Sequence, residues 1–153
     1  MLQPQPLMEG LHIHLEFRAT QDLIRADADK VKQVVLNILI NAADALAAGE
    51  EGPGPPVPRQ LKVVTQNQKG AIVLTLSDTG TGIRSTDMNA IFDPFFTTKA
   101  PGKGTGLGLS VCHTIMEALS GSIEVESQEG QGTTVRITIP LAEDEAQWKT
   151  SRG

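Results

Sequence analysis

Apolar and polar positions follow two rhythms along this chain. HIHLEF (12–17) alternates with period two, which predicts a strand carrying His12 and His14 on one face. The run ADKVKQVVLNILINAADALAA (28–48) is long, apolar and rich in helix formers. Val31, Val35, Leu39, Ala42 and Leu46 form one apolar stripe at helical spacing. Asp27 is placed to cap this helix, and Gly49 to stop it. EEGPGPPVP (50–58) is then a Pro-rich connection. Period-two runs at 61–65 and 71–77 predict two strands joined by a turn at 67–70. Residues 85–92 predict a short helix or turn. A second helix is expected from about 105 or 106 to 119, with Leu107, Val111, Ile115 and Leu119 as its apolar row. SIEVES and TTVRITIP close the pattern as a hairpin around QEGQG. The order is strand, helix, two strands, helix, two strands. That order predicts a two-layer α/β sandwich with helices on one face of a mixed sheet. Residues 11–141 read as one domain, 1–10 as a linker and 142–153 as a loose polar tail.

Composition narrows the classes. A length of 153 residues suits a single domain with its own core. The formal charge of -5 argues against a nucleic-acid partner, which calls for a basic surface. No apolar run is expected to span a membrane, and the first residues lack the basic and apolar regions of a signal peptide. The one cysteine, Cys112, lies in the second helical pattern, predicting a buried thiol and suiting a reducing cytoplasm. His12 and His14 have no further ligand candidates beside them and read as solvated strand histidines. Aromatic residues are scarce, yet three of the four phenylalanines fall in IFDPFFTTK (91–99). Such clustering points away from general core packing.

Chemistry concentrates in three places. The apolar run AIVLTLS leads straight into DTGTGI (78–83), leaving the Asp78 carboxylate at a strand end. There it can accept a hydrogen bond from the amino group of an adenine. Gly80 and Gly82 let the backbone approach a flat base or take positive φ. Alone, the run also reads as a Gly-rich turn. Asn37 and Asn41 lie four apart and share one face of the first helix. Two amides on an apolar helix require partners, and a carboxamide oxygen suits magnesium held together with a polyphosphate. A polar helix edge facing water is the alternative. GKGTGLGLS (102–110) places glycines, hydroxyls and a lysine just ahead of a helix start, where free N–H groups favour phosphate. Its glycine and lysine positions match neither a Walker loop nor the dinucleotide fingerprint. Lys99 and Lys103 supply positive charge; the alternative is a solvated loop.

Taken in order, DKVKQVVLNILINAADAL, DTGTGI, IFDPFFTTK and GKGTGLGLS resemble the asparagine box, first glycine box, phenylalanine box and second glycine box of sensor histidine kinase catalytic domains. GQGTTVRITIP resembles the family's last strands, and the likeness covers about residues 11–141. FFTTK followed by GTGLGLSVC is most similar to kinases of the nitrogen-regulation and C4-dicarboxylate-sensing type.

The resemblance implies the Bergerat α/β sandwich, with about five strands and about three helices on one face. It implies ATP as substrate and Mg2+ as its metal, with ATP between the asparagine helix and a flexible lid. Asp78 would bind the adenine amino group, Ile83 would pack the base, and Thr133 would reach it directly or through water. Asn41 would hold magnesium with Asn37 beside it. Lys99, Lys103 and the backbone of Gly104, Thr105, Gly106, Leu107 and Gly108 would close over the phosphates, with Thr97, Thr98 and Leu109 also at the nucleotide. Asn37, Asn41 and Lys99 are the candidate catalytic residues, acting by positioning and charge neutralisation. Phe92, Phe95 and Phe96 would anchor the lid to the body. Two departures stand out: Asp44 replaces a frequent Lys or Arg, and Leu119-Ser120-Gly121 replaces H-G-G.

By the same resemblance, the γ-phosphoryl would pass to a histidine on a separate dimerisation domain, and from there to a response-regulator receiver domain. The setting is the cytoplasm, including the cytoplasmic part of a membrane-anchored sensor, with no membrane contact by this domain and a monomer in isolation. The alternatives are an ATPase of the gyrase, mismatch-repair and heat-shock type, or a docking module that only binds nucleotide. Those ATPases carry a glutamate where this chain has Asn37, and a carboxamide is no general base.

Overall fold

The computed structural model describes residues 11–49, 58–96 and 108–142. β1 (Leu11–Phe17) leads to α1 (Ala28–Gly49), then to the hairpin of β2 (Arg59–Gln68) and β3 (Ala71–Asp78). α2 (Gly108–Ala118) precedes a second hairpin, β4 (Ser122–Gln128) and β5 (Gly132–Pro140). The five strands form one sheet in the order β1-β2-β3-β5-β4. β1 and β2 run parallel across the α1 crossover, and the other neighbours are antiparallel. The expected mixed sheet of five strands is present. Two α-helices and one 3-10 turn, Met88–Ala90, are found among the described residues in place of about three helices.

Both helices pack on one sheet face. Val34 and Ile38 of α1 and Cys112, Ile115 and Met116 of α2 share a core with Leu76, Ile123, Val135, Ile137 and Ile139. Each fully buried aliphatic side chain there contributes about 1.5–3 kcal/mol relative to exposure. The opposite face is polar: Glu16 pairs with His14, Arg18 and Lys62, and Glu124 with Arg136. β1 is an edge strand, so Ile13, Leu15 and Phe17 remain exposed although their register puts them on the helix-bearing face.

The sequence reading needs three corrections. The buried row of α1 is Val34, Ile38, Ala42 and Leu46, while Val31, Val35 and Leu39 are only half-buried. Val34 and Val35, like Ile38 and Leu39, are equally apolar, so only packing against α2 and the sheet decides which row faces inward. α2 is centred on Cys112, Ile115 and Met116, with Val111 and Leu119 at its edge; Leu107 lies outside the described residues. Finally, α1 is long and apolar enough, by length and composition, to cross a membrane. Here one row of it, Val34, Ile38, Ala42 and Leu46, is buried in the core, while Leu36 and Ile40 remain exposed.

Local chemistry sets the element ends. Asp27 caps α1 through its Oδ1, which accepts from the Asp29 amide at 2.9 Å. At the end of α2 the Gly121 amide donates to the Met116 carbonyl (2.9 Å) and the Ser120 amide to Glu117 (3.0 Å), a Schellman ending. Its left-handed position is filled by Ser120, at φ 57°. Gly121 has no room for a side chain, since a Cβ would lie 2.3 Å from the Thr138 carbonyl oxygen. Ser120 carries a left-handed backbone that glycine tolerates better. Ser120→Gly is therefore expected to stabilise the domain by about 0.5–1 kcal/mol, raising Tm by roughly 2–4 °C in a thermal melt. Ala142, assigned by sequence to the tail, donates its amide to the Leu23 carbonyl at 2.7 Å.

Candidate functional site

The strand end at Asp78 is fastened from three sides. Thr79 donates its amide to the Gln60 carbonyl (3.1 Å) and its hydroxyl to the Pro58 carbonyl (2.7 Å), and it accepts from the Gln60 amide (2.9 Å). Thr81 donates its amide to Ala45 on α1 at 3.2 Å. That contact brings the loop so close that a Cβ on Gly80 would sit 2.7 Å from the Ala45 carbonyl carbon. On the far side, the Gly130 amide donates to the Thr81 carbonyl at 2.7 Å, and the Ile83 amide to Ser127 Oγ at 2.8 Å. Gly82 turns there at φ 71°, where a Cβ would meet the Gln128 carbonyl oxygen at 2.2 Å. The glycines of DTGTGI thus serve helix contact at Gly80 and hairpin contact at Gly82.

The half-buried Asp78 carboxylate accepts from the Gly80 amide at 2.9 Å and from the Thr133 amide. Burial pushes its pKa above the ordinary 3.8, and those two hydrogen bonds oppose the rise. Two amides leave lone pairs of this carboxylate unspent. Thr133 lies opposite Asp78 in the β3–β5 ladder, and its hydroxyl is 2.8 Å from Ser127 Oγ. Asp78, Gly80, Gly82, Ile83 and Thr133 therefore meet at one end of the sheet.

Asn37 and Asn41 are half-buried and turn toward α2 rather than into open water. The Asn41 amide nitrogen is 3.7 Å from where a Cβ on Gly108 would stand. Asn37 hydrogen-bonds Cys112, whose thiol is raised in pKa by burial, with the Asn37 contact opposing the shift. Cys112 Sγ also donates to the Val34 carbonyl at 3.7 Å, and the residue is fully buried, as its apolar setting predicts. Leu109 is half-buried at the start of α2. Thr97, Thr98, Lys99, Lys103, Gly104, Thr105, Gly106 and Leu107 lie outside the described residues.

The phenylalanines divide. Phe92 packs against the main core and lies 5.4 Å, ring to ring, from the exposed His113. Phe96 is half-buried, but Phe95 is 76% exposed with a left-handed φ of 69°. Among the described contacts, anchorage to the body thus rests on Phe92. Thr79 and Ser127 were missed by the sequence reading. Ser127 shares the inward parity of Ile123 and Val125, and a hydroxyl at an inward strand position was the available signal.

Residues 26–143 match the model of the family described as histidine kinase-, DNA gyrase B- and HSP90-like ATPases. The chain belongs to this family, and within it to the ATP-binding catalytic domains of two-component sensor histidine kinases. It is 42% identical over 132 residues to the sensor histidine kinase ZraS of Escherichia coli K12, covering 84% of this chain and 26% of that protein. It is 37% identical over 116 residues to the C4-dicarboxylate transport sensor protein DctB of Pseudomonas aeruginosa, covering 76% and 18%. The chain thus spans about a quarter or less of these relatives. Among solved structures, a nucleotide-free catalytic domain of the histidine kinase ThkA superposes with a TM-score of 0.68 at 32% identity, covering 86% of this chain and 79% of that one. Full-length ShkA in complex with AMPPNP gives 0.71 at 25% identity, covering 88% and 26%.

Proposed function

We propose that this domain binds ATP with magnesium at the Asp78 end of the sheet and presents the γ-phosphoryl to a histidine on a separate dimerisation domain. The observation that carries the reading is the Asp78 carboxylate, partly desolvated, held by the Gly80 and Thr133 amides and still possessing free lone pairs. An adenine amino group supplies the donor those lone pairs lack. Gly80 and Gly82 let this strand end pack tightly against Ala45 and Gln128, and Ile83 offers an apolar side chain to the base in this reading. Among the described residues no cluster of three His, Cys, Asp or Glu could hold a metal. The carboxamide oxygens of Asn41 and Asn37 fit a magnesium ion shared with phosphates and water, where the ion would neutralise phosphate charge. Lys99 and Lys103, with Thr97, Thr98 and the glycine-rich 104–108 backbone, complete the phosphate contacts in this reading.

Histidine phosphorylation is favoured over water activation by the chemistry of Asn37, which offers no carboxylate to act as a general base. In the parent protein the receiver domain of a response regulator is the next acceptor, and the cytoplasm is the compartment. The test is calorimetric titration with ATP, with and without magnesium, and with GTP. ATP is expected to bind more tightly than GTP and to weaken when magnesium is chelated. Equal binding of both nucleotides would remove the adenine assignment. Adding the parent's dimerisation domain is then expected to yield an acid-labile phosphohistidine.

A further inference from the structure

Ser127 lies on β4, outside all four nucleotide motifs, yet it touches both walls of the proposed base site. Its Oγ stands 2.8 Å from the Ile83 amide nitrogen, 3.0 Å from the Gly132 carbonyl oxygen and 2.8 Å from the Thr133 hydroxyl oxygen. A serine hydroxyl has one proton to donate and two lone pairs. The Ile83 amide can only donate, and the Gly132 carbonyl can only accept. Ser127 therefore gives its proton to Gly132 and receives the Ile83 proton on one lone pair. The remaining lone pair is satisfied only if Thr133 donates its own O–H. This assignment is the one that satisfies all three contacts together.

We infer that Ser127 is a positioning residue that fixes the polarity of the base site, turning the Thr133 hydroxyl proton inward so that Thr133 and Asp78 both present acceptors to the ligand. The inference rests on the nucleotide-site reading above and adds a source of specificity to it. Two neighbouring acceptors favour a purine edge that brings N–H donors, or a bridging water that brings O–H donors. A keto oxygen in the place of the exocyclic amino group meets lone pairs instead. The polarity also withstands small movements of the site, because the proton of Thr133 is committed to a partner on the scaffold. Without Ser127 the Thr133 hydroxyl is free to rotate outward and donate.

The test compares ATP with inosine triphosphate, which differs by that amino-to-keto exchange together with its accompanying ring proton. Binding of each is measured by calorimetry on the wild type, Ser127→Ala, Ser127→Thr and Ser127→Cys, with folding checked by thermal melt. Ser127→Ala is expected to reduce the ATP-over-inosine preference by roughly three- to tenfold, the scale of one neutral hydrogen bond. Ser127→Thr keeps the hydroxyl and is expected to retain the preference. Ser127→Cys keeps the shape with a weak donor, and is expected to lose the preference even if the alanine variant fails to fold. Loss of melting temperature with an unchanged nucleotide ratio in the alanine and cysteine variants would reduce Ser127 to a structural residue and overturn the inference. The underlying site reading fails separately, through ATP binding that is indifferent to Asp78→Asn.

Discussion

Asp78→Asn is expected to abolish most ATP affinity while leaving the fold at least as stable as the wild type. The two effects have one origin. Folding takes the carboxylate partly out of water and raises its pKa, so the charged form is disfavoured in the native state. The sign follows by linkage. A raised folded pKa means that the native state holds this proton more tightly than the unfolded chain does. Its contribution is therefore most favourable below the ordinary value of 3.8, and is lost as pH rises through the raised value. Near neutral pH Asp78 is a cost to the fold, and a neutral amide relieves it. The Asn oxygen can still accept from the Gly80 amide, so the loop keeps that anchor. Toward adenine, however, the variant presents an N–H donor or a weaker neutral acceptor in place of a carboxylate. Losing a charge-assisted hydrogen bond costs about 1.5–3 kcal/mol, or roughly 10- to 150-fold in Kd. Calorimetry with ATP and a thermal melt on the same sample check both halves. In the wild type, ATP binding is expected to weaken on acidification at a pH above that of an ordinary aspartate, because protonation removes the acceptor. Undiminished ATP affinity in the variant would move the adenine site elsewhere.

Gly132→Ala is expected to be the most destabilising single-methyl change among the described glycines. Its φ of 131° is strained for any L side chain, and an added Cβ would sit 2.0 Å from the Asp78 carbonyl oxygen and 3.1 Å from Thr79 Cα. Both obstacles are backbone, so neither can swing aside. The β3–β5 ladder must shift at the residue pair that carries the site, Asp78 and Thr133. A loss of about 3 kcal/mol or more is expected, with Tm lowered by roughly 10 °C. Gly130 and Gly70 provide the comparison. Both have positive φ, but a Cβ at either meets nothing within 4 Å. Alanine there carries only the left-handed backbone cost of about 1–2 kcal/mol. Thermal melts of the three variants separate steric collision from backbone strain. A Gly132→Ala melt as mild as that of Gly130→Ala would show that the ladder yields more easily than its geometry implies.

Much of this domain is legible in the sequence alone. The period-two runs located all five strands to within a few residues, because side chains alternate across a pleated sheet. Asp27 marks the start of α1 through capping chemistry, and Gly49 is the last residue of the helix. Asp78, Gly80, Gly82 and Ile83 are readable as a candidate site because they are nearly contiguous at the end of an apolar strand. Asn37 and Asn41 were readable because a carboxamide is costly within an apolar helix unless it finds a partner.

Other features required the fold. Sequence could not choose the buried row of α1, since adjacent rows of that helix are equally apolar and the choice depends on the angle at which α2 and the sheet meet it. It pairs Asn37 with Asn41 through their spacing of four, whereas the contact of Asn37 with Cys112, 75 positions further on, exists only once the two helices pack. The glycines of DTGTGI were expected to make room for a base. The structure shows that Gly80 and Gly82 are also required by Ala45 and Gln128. Ser127 is the clearest case: its inward parity on β4 is visible in the chain, but its contact with Ile83, 44 positions earlier, exists only in the fold. Local chemistry determines where the chain bends, caps and alternates, because those effects act between residues a few bonds apart. Which donor meets which acceptor across the proposed base site was decided by tertiary structure, because hydrogen bonds tolerate only tenths of an ångström and their partners here come from β3, β4, β5 and α1 together.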